Sequence, residues 1–324
     1  MDASLIIEPA SLKHRVKDHW EQEACGERYG SKTDRRLFFE EISATRYELE
    51  RYISPFADFP SAKDKAVLEI GVGAGADFQN WCDYALHATG VDLTEKAIEL
   101  TRERLELNSI PPEKYTLRTA DAENLPFDQD SFDLAYSWGV LHHTPDTASA
   151  FQEVFRVLRP GGVVKAMIYH APSWTGLMLY LRWGLARRKI TLSMKDVVFS
   201  HLESPGTKSY SVDEARVLLE KAGFEKIRTT TKLSPGDLLT IKPSKKYGSP
   251  IYKLIWRLYP RWLVRLTGDR YGLGLLVEGK KPVIECLTHP LTEVVLTPQR
   301  RLSDSATQAK EASATCAVES VPPA

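Results

Sequence analysis

A doubly wound α/β fold is what this 324-residue sequence predicts: a mostly parallel seven-stranded sheet, helices on both faces, and a helical cap built from insertions. Three observations carry the prediction. Short apolar runs alternate with capped, amphipathic stretches through the middle of the chain. The first apolar run opens into the glycine-rich segment Gly71-Val72-Gly73-Ala74-Gly75. Two aromatic-rich segments, about 171–210 and 234–269, then interrupt an otherwise regular alternation.

The elements follow in order. Residues 1–60 read as an N-terminal arm followed by a helix over about 33–52, capped by Thr33 or Asp34 and ended by Pro55 and Pro60. The main domain spans 61–290. Ala66 to Ile70 is a buried strand, and the glycines after it enter a helix. Thr89 to Asp92 is the second strand, and Thr94 caps a helix that runs to Leu107. Tyr115 to Thr119 and Phe132 to Ser137 are the third and fourth strands. A helix from Ala148 to Leu158 stops at Pro160-Gly161-Gly162, and Val163 to Tyr169 is the fifth strand. Ser211 to Ala222 is a capped helix with Gly223 at its end; Phe224 to Thr231 and Leu273 to Glu278 complete the strands. Residues 291–324, rich in Ser, Ala and Thr, are expected to be disordered.

Lys and Arg number 43 against 43 Asp and Glu, so no global basic field draws the chain to nucleic acid. The four cysteines, Cys25, Cys82, Cys286 and Cys316, form no CxxC pair and are too sparse for a disulfide framework. No metal is expected. The first ten residues lack a basic region followed by a sustained apolar one, and no apolar run approaches the ~20 residues of a membrane span. A cytoplasmic location is the expectation.

The glycine turn lets backbone lie close to a ligand, and the helix after it offers free N–H groups. Gly71, Gly73 and Ala76 also fit a loose dinucleotide fingerprint. Asp92 ends the next strand 21 positions after Gly71, where a carboxylate can accept from both ribose hydroxyls. So far NAD and S-adenosylmethionine fit alike, and an NAD-dependent oxidoreductase stays open. Asp121-Ala122-Glu123 follows strand three, where an acid can accept from an adenine amino group. Strand four runs into Tyr136-Ser137-Trp138-Gly139-Val140-Leu141-His142-His143, and the next helix ends Leu158-Arg159-Pro160-Gly161-Gly162.

Taken together, these motifs resemble the class I S-adenosylmethionine-dependent methyltransferases. The resemblance is to the small-molecule type, like the ubiquinone/menaquinone-biosynthesis C-methyltransferases, and covers about 65–169. It implies S-adenosylmethionine as cofactor and a role for each matching position. Glu69 would lie near the methionine amino group, while Gly71, Val72, Gly73 and Gly75 would form the backbone bed. Asp92 would hold the ribose with Leu93 against the adenine. Asp121 would take the adenine amino group, with Ala122 and Glu123 beside the ring. Ser137 and Trp138 would face the methionine part. A scaffold that binds the cofactor without catalysis is the remaining alternative.

Methyl transfer mainly requires alignment of nucleophile, methyl carbon and sulfur, about 3–3.5 Å apart, and an O, N or C acceptor can also need a base. His142 and His143 after strand four, and His170 after strand five, are the candidates, with Tyr136 and Tyr169 behind them. Each histidine equally suits a packing role. After strand four the chain lacks an Asn/Asp-Pro-Pro-Tyr segment, and no Pro-Cys pair occurs, which argues against methylation of nucleic-acid bases. In the second insertion Lys253, Arg257, Arg261 and Arg265 recur every four positions beside Ile251, Leu254, Ile255, Leu258 and Trp262, and Pro260 should kink or split that helix. With Trp174 to Leu185 and Arg187-Arg188-Lys189, this pattern suits either a cap packed on the core or a lid on a membrane surface that admits an apolar or amphipathic small-molecule acceptor. The arm carrying Trp20, Cys25, Gly26 and Tyr29 is a second lid candidate.

Overall fold

Why the sheet forms where it does follows from the alternation of buried side chains across it. The computed structural model describes residues 8–241, 254 and 256–283. β1 (Ala66–Ile70) lies in the middle, parallel to β2 (His87–Asp92) on one side and β4 (Phe132–Trp138) on the other. β3 (Tyr115–Thr119) pairs outside β2. β5 (Leu158–Tyr169) pairs with β4, and antiparallel β7 (Gly274–Lys280) sits between β5 and β6 (Glu225–Lys232). The order is therefore β3-β2-β1-β4-β5-β7-β6. Successive strand residues enter opposite apolar layers: Val67 joins Phe78 and Trp81 on one face, and Leu68 joins Phe151 and Val154 on the other. Leu275, Leu276 and Val277 alternate in the same way in β7.

The helices start where polar caps stand. α2 (Arg35–Leu49) begins at Asp34, whose carboxylate accepts from the Leu37 N–H at 2.9 Å. α5 (Glu95–Leu107) begins at Thr94, and α6 (Thr147–Val157) at Asp146. α9 (Val212–Ala222) has Ser211 and Glu214 in a reciprocal capping box and ends at Gly223. α3 (Ile53–Ala57) and α4 (Ala76–Tyr84) cover the β1–β2 face.

Two differences from the sequence expectation have local causes. The fifth strand starts at Leu158 rather than Val163, because the Pro160-Gly161-Gly162 segment does not interrupt it. The ladder slips in register between Phe132 and Leu134, which accommodates a proline that cannot donate. The N-terminal arm contains α1 (Pro9–Gln22), and its Leu12 and Val16 are buried. At Pro260 the helix of the second insertion is split, as expected: Tyr259 and Pro260 lie outside helical structure, and α10 (Arg261–Leu266) starts after them. Arg257 and Arg261 thus do not share one continuous helical stripe; Ile251, Lys253 and Ile255 fall outside the described residues, as does the 291–324 tail.

The first insertion forms α7 (Trp174–Trp183) and α8 (Met194–His201), capped by Ser173 and Ser193. The Trp174 indole N–H donates to Thr267 Oγ1 at 3.0 Å, tying α7 to the segment after α10. Among the described residues no helix is long and apolar enough to cross a membrane. The strand order reverses between β1 and β4, and there a crevice opens beyond the carboxyl ends of the strands.

Candidate active site

That crevice is the floor of a cavity of about 1410 Å³, roofed by α1, α2, α7, residues 234–241, and Trp256 with Tyr259. Its floor is backbone. Gly71 has φ +86°, and a Cβ there would lie 2.1 Å from Val140 Cγ2. Its N–H donates to the Val91 carbonyl at 2.7 Å. Gly73 has φ +54°, and its N–H donates to Asp92 Oδ2 at 3.2 Å. α5 braces the turn from below: Thr101 Oγ1 donates to the Gly73 carbonyl at 3.1 Å and Arg104 Nε to that of Ala74 at 2.7 Å. Gly75 belongs to this brace, since a Cβ on it would meet Thr101 and Arg104 and it does not line the cavity.

Asp92 reaches the cavity from the end of β2. Its Oδ1 accepts from the N–H and hydroxyl of Thr94 at 3.0 and 2.8 Å. Burial pushes its carboxyl above the ordinary range, and those hydrogen bonds pull it back. Leu93 lines the cavity beside it. Glu69, at the end of β1, is buried with Oε2 lacking a hydrogen-bond partner among the described residues, and burial followed by the nearby Asp77 charge holds its carboxyl well above the usual range. Asp77 itself is saturated: Arg46 Nη2 approaches its Oδ2 at 2.6 Å, and the Tyr47 and Tyr136 hydroxyls each donate to it at 2.9 Å.

Asp121 and Ala122 line the far side. Asp121 Oδ1 accepts from the Glu123 N–H at 2.9 Å, and Oδ2 takes Lys13 Nζ of α1 at 2.6 Å. Glu123 is drawn away from the cavity: it pairs with Lys13 at 2.5 Å and accepts from the Asp146 N–H at 2.6 Å, locking the loop to the start of α6. Ser137 is likewise behind the wall, its hydroxyl donating to the Ile70 carbonyl at 3.0 Å, whereas Trp138 lines the cavity.

The three histidines part company. His143 lines the cavity from the short helical turn after β4, with Nδ1 2.8 Å from Ser204 Oγ and Nε2 3.5 Å from Glu203 Oε2. Trp20 of α1 packs edge-on against its ring. His142 is fully buried behind it, neither ring nitrogen has a hydrogen-bond partner among the described residues, and burial holds it well below the usual histidine range. His170 is buried at the end of β5 with Nδ1 3.0 Å from the Gly272 carbonyl, and it does not line the cavity. Of the three, His143 alone lines this chamber. Tyr169, whose hydroxyl donates to Glu203 Oε2 at 2.8 Å, shares the wall. Tyr136 points to Asp77 and does not line it.

Sequence reasoning missed Glu203, Lys13, Arg46 and Asp77. The first is a lone acid in an insertion and carries no local signal. Lys13 had one, since Leu12, Val16 and Trp20 around it recur every four residues and mark a helix face. Among the described residues no group of three or more His, Cys, Asp and Glu side chains is placed to hold a metal.

Residues 68–165 match the family described as a methyltransferase domain. The chain carries an S-adenosylmethionine-dependent methyltransferase domain. That segment holds the cradle from Glu69 to His143, and leaves α1, α2, Glu203 and both cap insertions outside. Phosphoethanolamine N-methyltransferase 2 of Caenorhabditis elegans is 32% identical over 120 residues, 37% of this chain and 26% of that protein. Demethylmenaquinone methyltransferase of Tropheryma whipplei (strain Twist) is 27% identical over 162 residues, 49% of this chain and 66% of that protein. The matches thus span about a quarter and just under two thirds of these relatives' own lengths. In fold, the chain is similar to phosphoethanolamine N-methyltransferase 2 of Haemonchus contortus, solved with phosphomonomethylethanolamine and S-adenosylhomocysteine: TM-score 0.51, 17% identity, covering 82% of this chain and 60% of that one.

The methyltransferase domain fits its cofactor on its own geometry. A buried carboxylate oxygen without a partner, Glu69 Oε2, is a destination for an ammonium group. Gly71 and Gly73 leave the floor open where any Cβ would intrude. Asp92 offers a ribose acceptor, and Asp121 keeps lone pairs beside Lys13.

Proposed function

We propose that this protein transfers the methyl group of S-adenosylmethionine to a small, apolar or amphipathic acceptor. One observation carries the reading: a single cavity joins the glycine cradle, with Glu69 and Asp92, to a chamber walled by His143 and by aliphatic and aromatic side chains of the cap. When bound, S-adenosylmethionine supplies an activated methyl carbon whose bond to sulfur breaks with its electron pair left on sulfur. Glu69 would take the ammonium end, Asp92 the ribose hydroxyls, and Asp121 with Ala122 the adenine. His143, the histidine that reaches the chamber, would remove the acceptor's proton where one must leave.

Met178, Leu179, Leu181, Leu202, Leu239 and Ile241 dominate the chamber's outer wall, which favours an apolar acceptor. The demethylmenaquinone methyltransferase among the relatives is consistent with that class. Around the same cap lie exposed Leu258 (70%), Trp262 (67%) and Leu266 (74%), with Arg257 and Arg265 among them. Exposed aromatic and aliphatic side chains flanked by arginines suit the headgroup region of an anionic membrane, from which an apolar acceptor would enter.

The test is direct. S-adenosylhomocysteine should bind the wild type and fail to bind Asp92→Ala by calorimetry, with NADH binding neither. Labelled S-adenosylmethionine incubated with protein and a membrane-containing cell extract should send label into the organic phase. Label confined to small aqueous products would overturn the apolar acceptor, and NADH binding without S-adenosylhomocysteine binding would overturn methyl transfer.

A further inference from the structure

Glu50 caps the C-terminal end of α2 and lines the cavity through a side chain that is 18% exposed. Its two carboxylate oxygens differ. Oε1 accepts from the Tyr52 hydroxyl at 3.1 Å. Oε2 has no such partner among the described residues; Arg46 Nη1 stands 3.9 Å away, and that guanidinium spends Nε and Nη2 on Asp77 at 3.1 and 2.6 Å. Trp138 Nε1 approaches the same carboxylate and helps to hold it ionised, without completing a hydrogen bond among the described residues. Burial raises the Glu50 carboxyl, and Arg46 with the Tyr52 hydroxyl opposes that rise. Its position is the junction of the cavity. Toward the cradle, Arg46 links it to Asp77 beside Glu69, and the Tyr52 ring lies 5.7 Å from that of Trp138. Toward the acceptor chamber, its charge acts on the Tyr169 hydroxyl, and a Cβ on Gly274 would lie 3.6 Å from Tyr52 Oη.

We propose that Glu50 is a specificity-determining residue of the acceptor chamber: held by Tyr52, it accepts a hydrogen bond on Oε2 from a hydroxyl group at the polar end of an amphipathic acceptor. This rests on the reading of the cavity as a methyl-transfer site given above, and it narrows the acceptor to a hydroxyl-bearing amphiphile. Glu50 recognises the head in this role; the bond that breaks in methyl transfer stays as described. An acceptor oxygen left unpaired in a nearly enclosed site costs free energy, which an entering O–H recovers.

Charge and hydrogen-bonding capacity select the hydroxyl. An ether or a ketone has no hydrogen to give a carboxylate. An ammonium head would bring a further positive charge close to Arg46 and to the sulfonium of the donor, and both repel it. A neutral O–H meets Oε2 without that cost. Behind the head, an apolar tail meets Met178, Leu179 and Leu202 on the outer wall. Glu203, the acid beside Tyr169, is engaged differently: its Oε2 takes the Tyr169 hydroxyl at 2.8 Å and faces His143 Nε2 at 3.5 Å.

The experiment is calorimetric titration of the full-length protein, free and loaded with S-adenosylhomocysteine, using three probes: para-hexylphenol, its methyl ether para-hexylanisole, and para-hexylbenzylamine. The phenol should bind about tenfold or more tighter than the ether, the usual worth of a hydrogen bond to a charged group. The amine, a cation at neutral pH, should bind more weakly than the phenol. In Glu50→Gln most of the phenol's advantage should disappear while the ether binds as before, a pattern that a merely structural role would not produce because it would weaken both. Equal affinities for phenol and ether, no detectable binding of the phenol, tighter binding of the amine, or an advantage that survives Glu50→Gln would overturn the proposal. If Glu50→Gln does not fold, Tyr52→Phe, which frees the carboxylate and keeps the ring beside Trp138, must reduce the same advantage, and an unreduced one counts equally against it. A Glu50-dependent preference for the phenol in a protein that does not bind S-adenosylhomocysteine would sink the methyl-transfer reading and leave the hydroxyl site intact.

Discussion

The two halves of the cavity are built on different principles. The floor, at the ends of β1, β2 and β4, is mostly backbone: Gly71 and Gly73 at positive φ, with an N–H bonded to Asp92. Its geometry follows from hydrogen bonding and steric exclusion, so it tolerates almost no added volume. The roof, from α1, α7, the Glu203 loop, residues 234–241, and Trp256 with Tyr259, is made of side chains that meet across long stretches of chain. Only the floor falls within the family match at 68–165. A chain can therefore keep one cofactor cradle and vary its acceptor chamber, because the two halves share a cavity and little covalent structure.

The largest expected effect separates the two adjacent histidines. His143→Gln should lower turnover by about 10²- to 10⁴-fold, the usual range for a lost general base, and leave S-adenosylhomocysteine binding intact. His142→Leu, behind the wall, should keep turnover within a few-fold. Equal losses in both variants would break the distinction between lining and buried ring.

Next is the floor. Gly71→Ala introduces a Cβ 2.1 Å from Val140 at φ +86°. Left-handed strain of about 1–2 kcal/mol and overpacking of about 1–3 kcal/mol should add, lowering the thermal midpoint and removing measurable cofactor binding. A larger change in the roof, Leu181→Ala at a half-exposed position, should alter acceptor selection while leaving cofactor affinity unchanged in the same titration.

Glu69→Gln sharpens the comparison through pH. Its folded carboxyl is raised by burial and by Asp77, so the protonated form is favoured in the fold. Its contribution to stability is full below the unfolded value near 4.5 and is lost as pH rises through the folded value. At neutral pH the cofactor-free Gln variant should therefore melt higher than the wild type and depend less on pH. Its affinity for S-adenosylhomocysteine should fall about tenfold or more, the worth of a hydrogen bond to a charged group. A variant that melts lower and binds as before would remove Glu69 from the cofactor site.

The smallest effect lies outermost. Leu258→Glu with Trp262→Glu should weaken sedimentation with anionic phosphatidylglycerol vesicles about tenfold and leave cofactor affinity alone, since each side chain forfeits partial apolar burial worth about one CH2, roughly 0.8 kcal/mol. Unchanged vesicle binding would make these residues an ordinary exposed cap surface.

Legibility in the sequence follows the same division. The turn after β1, Asp92 and the caps at Asp34, Thr94 and Ser211 could be read because each is a local device: a glycine dihedral, a strand end, a side chain bonding its own helix start. Gly75, Glu123 and Ser137 sit in the right motifs yet face Thr101 and Arg104, Asp146 and Lys13, and the Ile70 carbonyl, because a motif specifies position along the chain and not which way a side chain turns. His142 and His143 look alike in sequence. Both are buried; one residue of rotation along a short helical turn sets the first behind the wall and brings the second into it.

By itself the sequence determined the α/β alternation, the glycine cradle and the acids at the strand ends, since these depend on backbone sterics and on contacts a few residues apart. Tertiary structure alone decided that Lys13 reaches Asp121 across 108 positions and that Glu203 meets His143. It also decided that Arg46 neutralises the buried Asp77 beside Glu69. Charges brought together from distant segments carry no periodicity or spacing. Their pairing is set by which surfaces pack when the sheet closes, because a buried charge must find its partner wherever the chain delivers one.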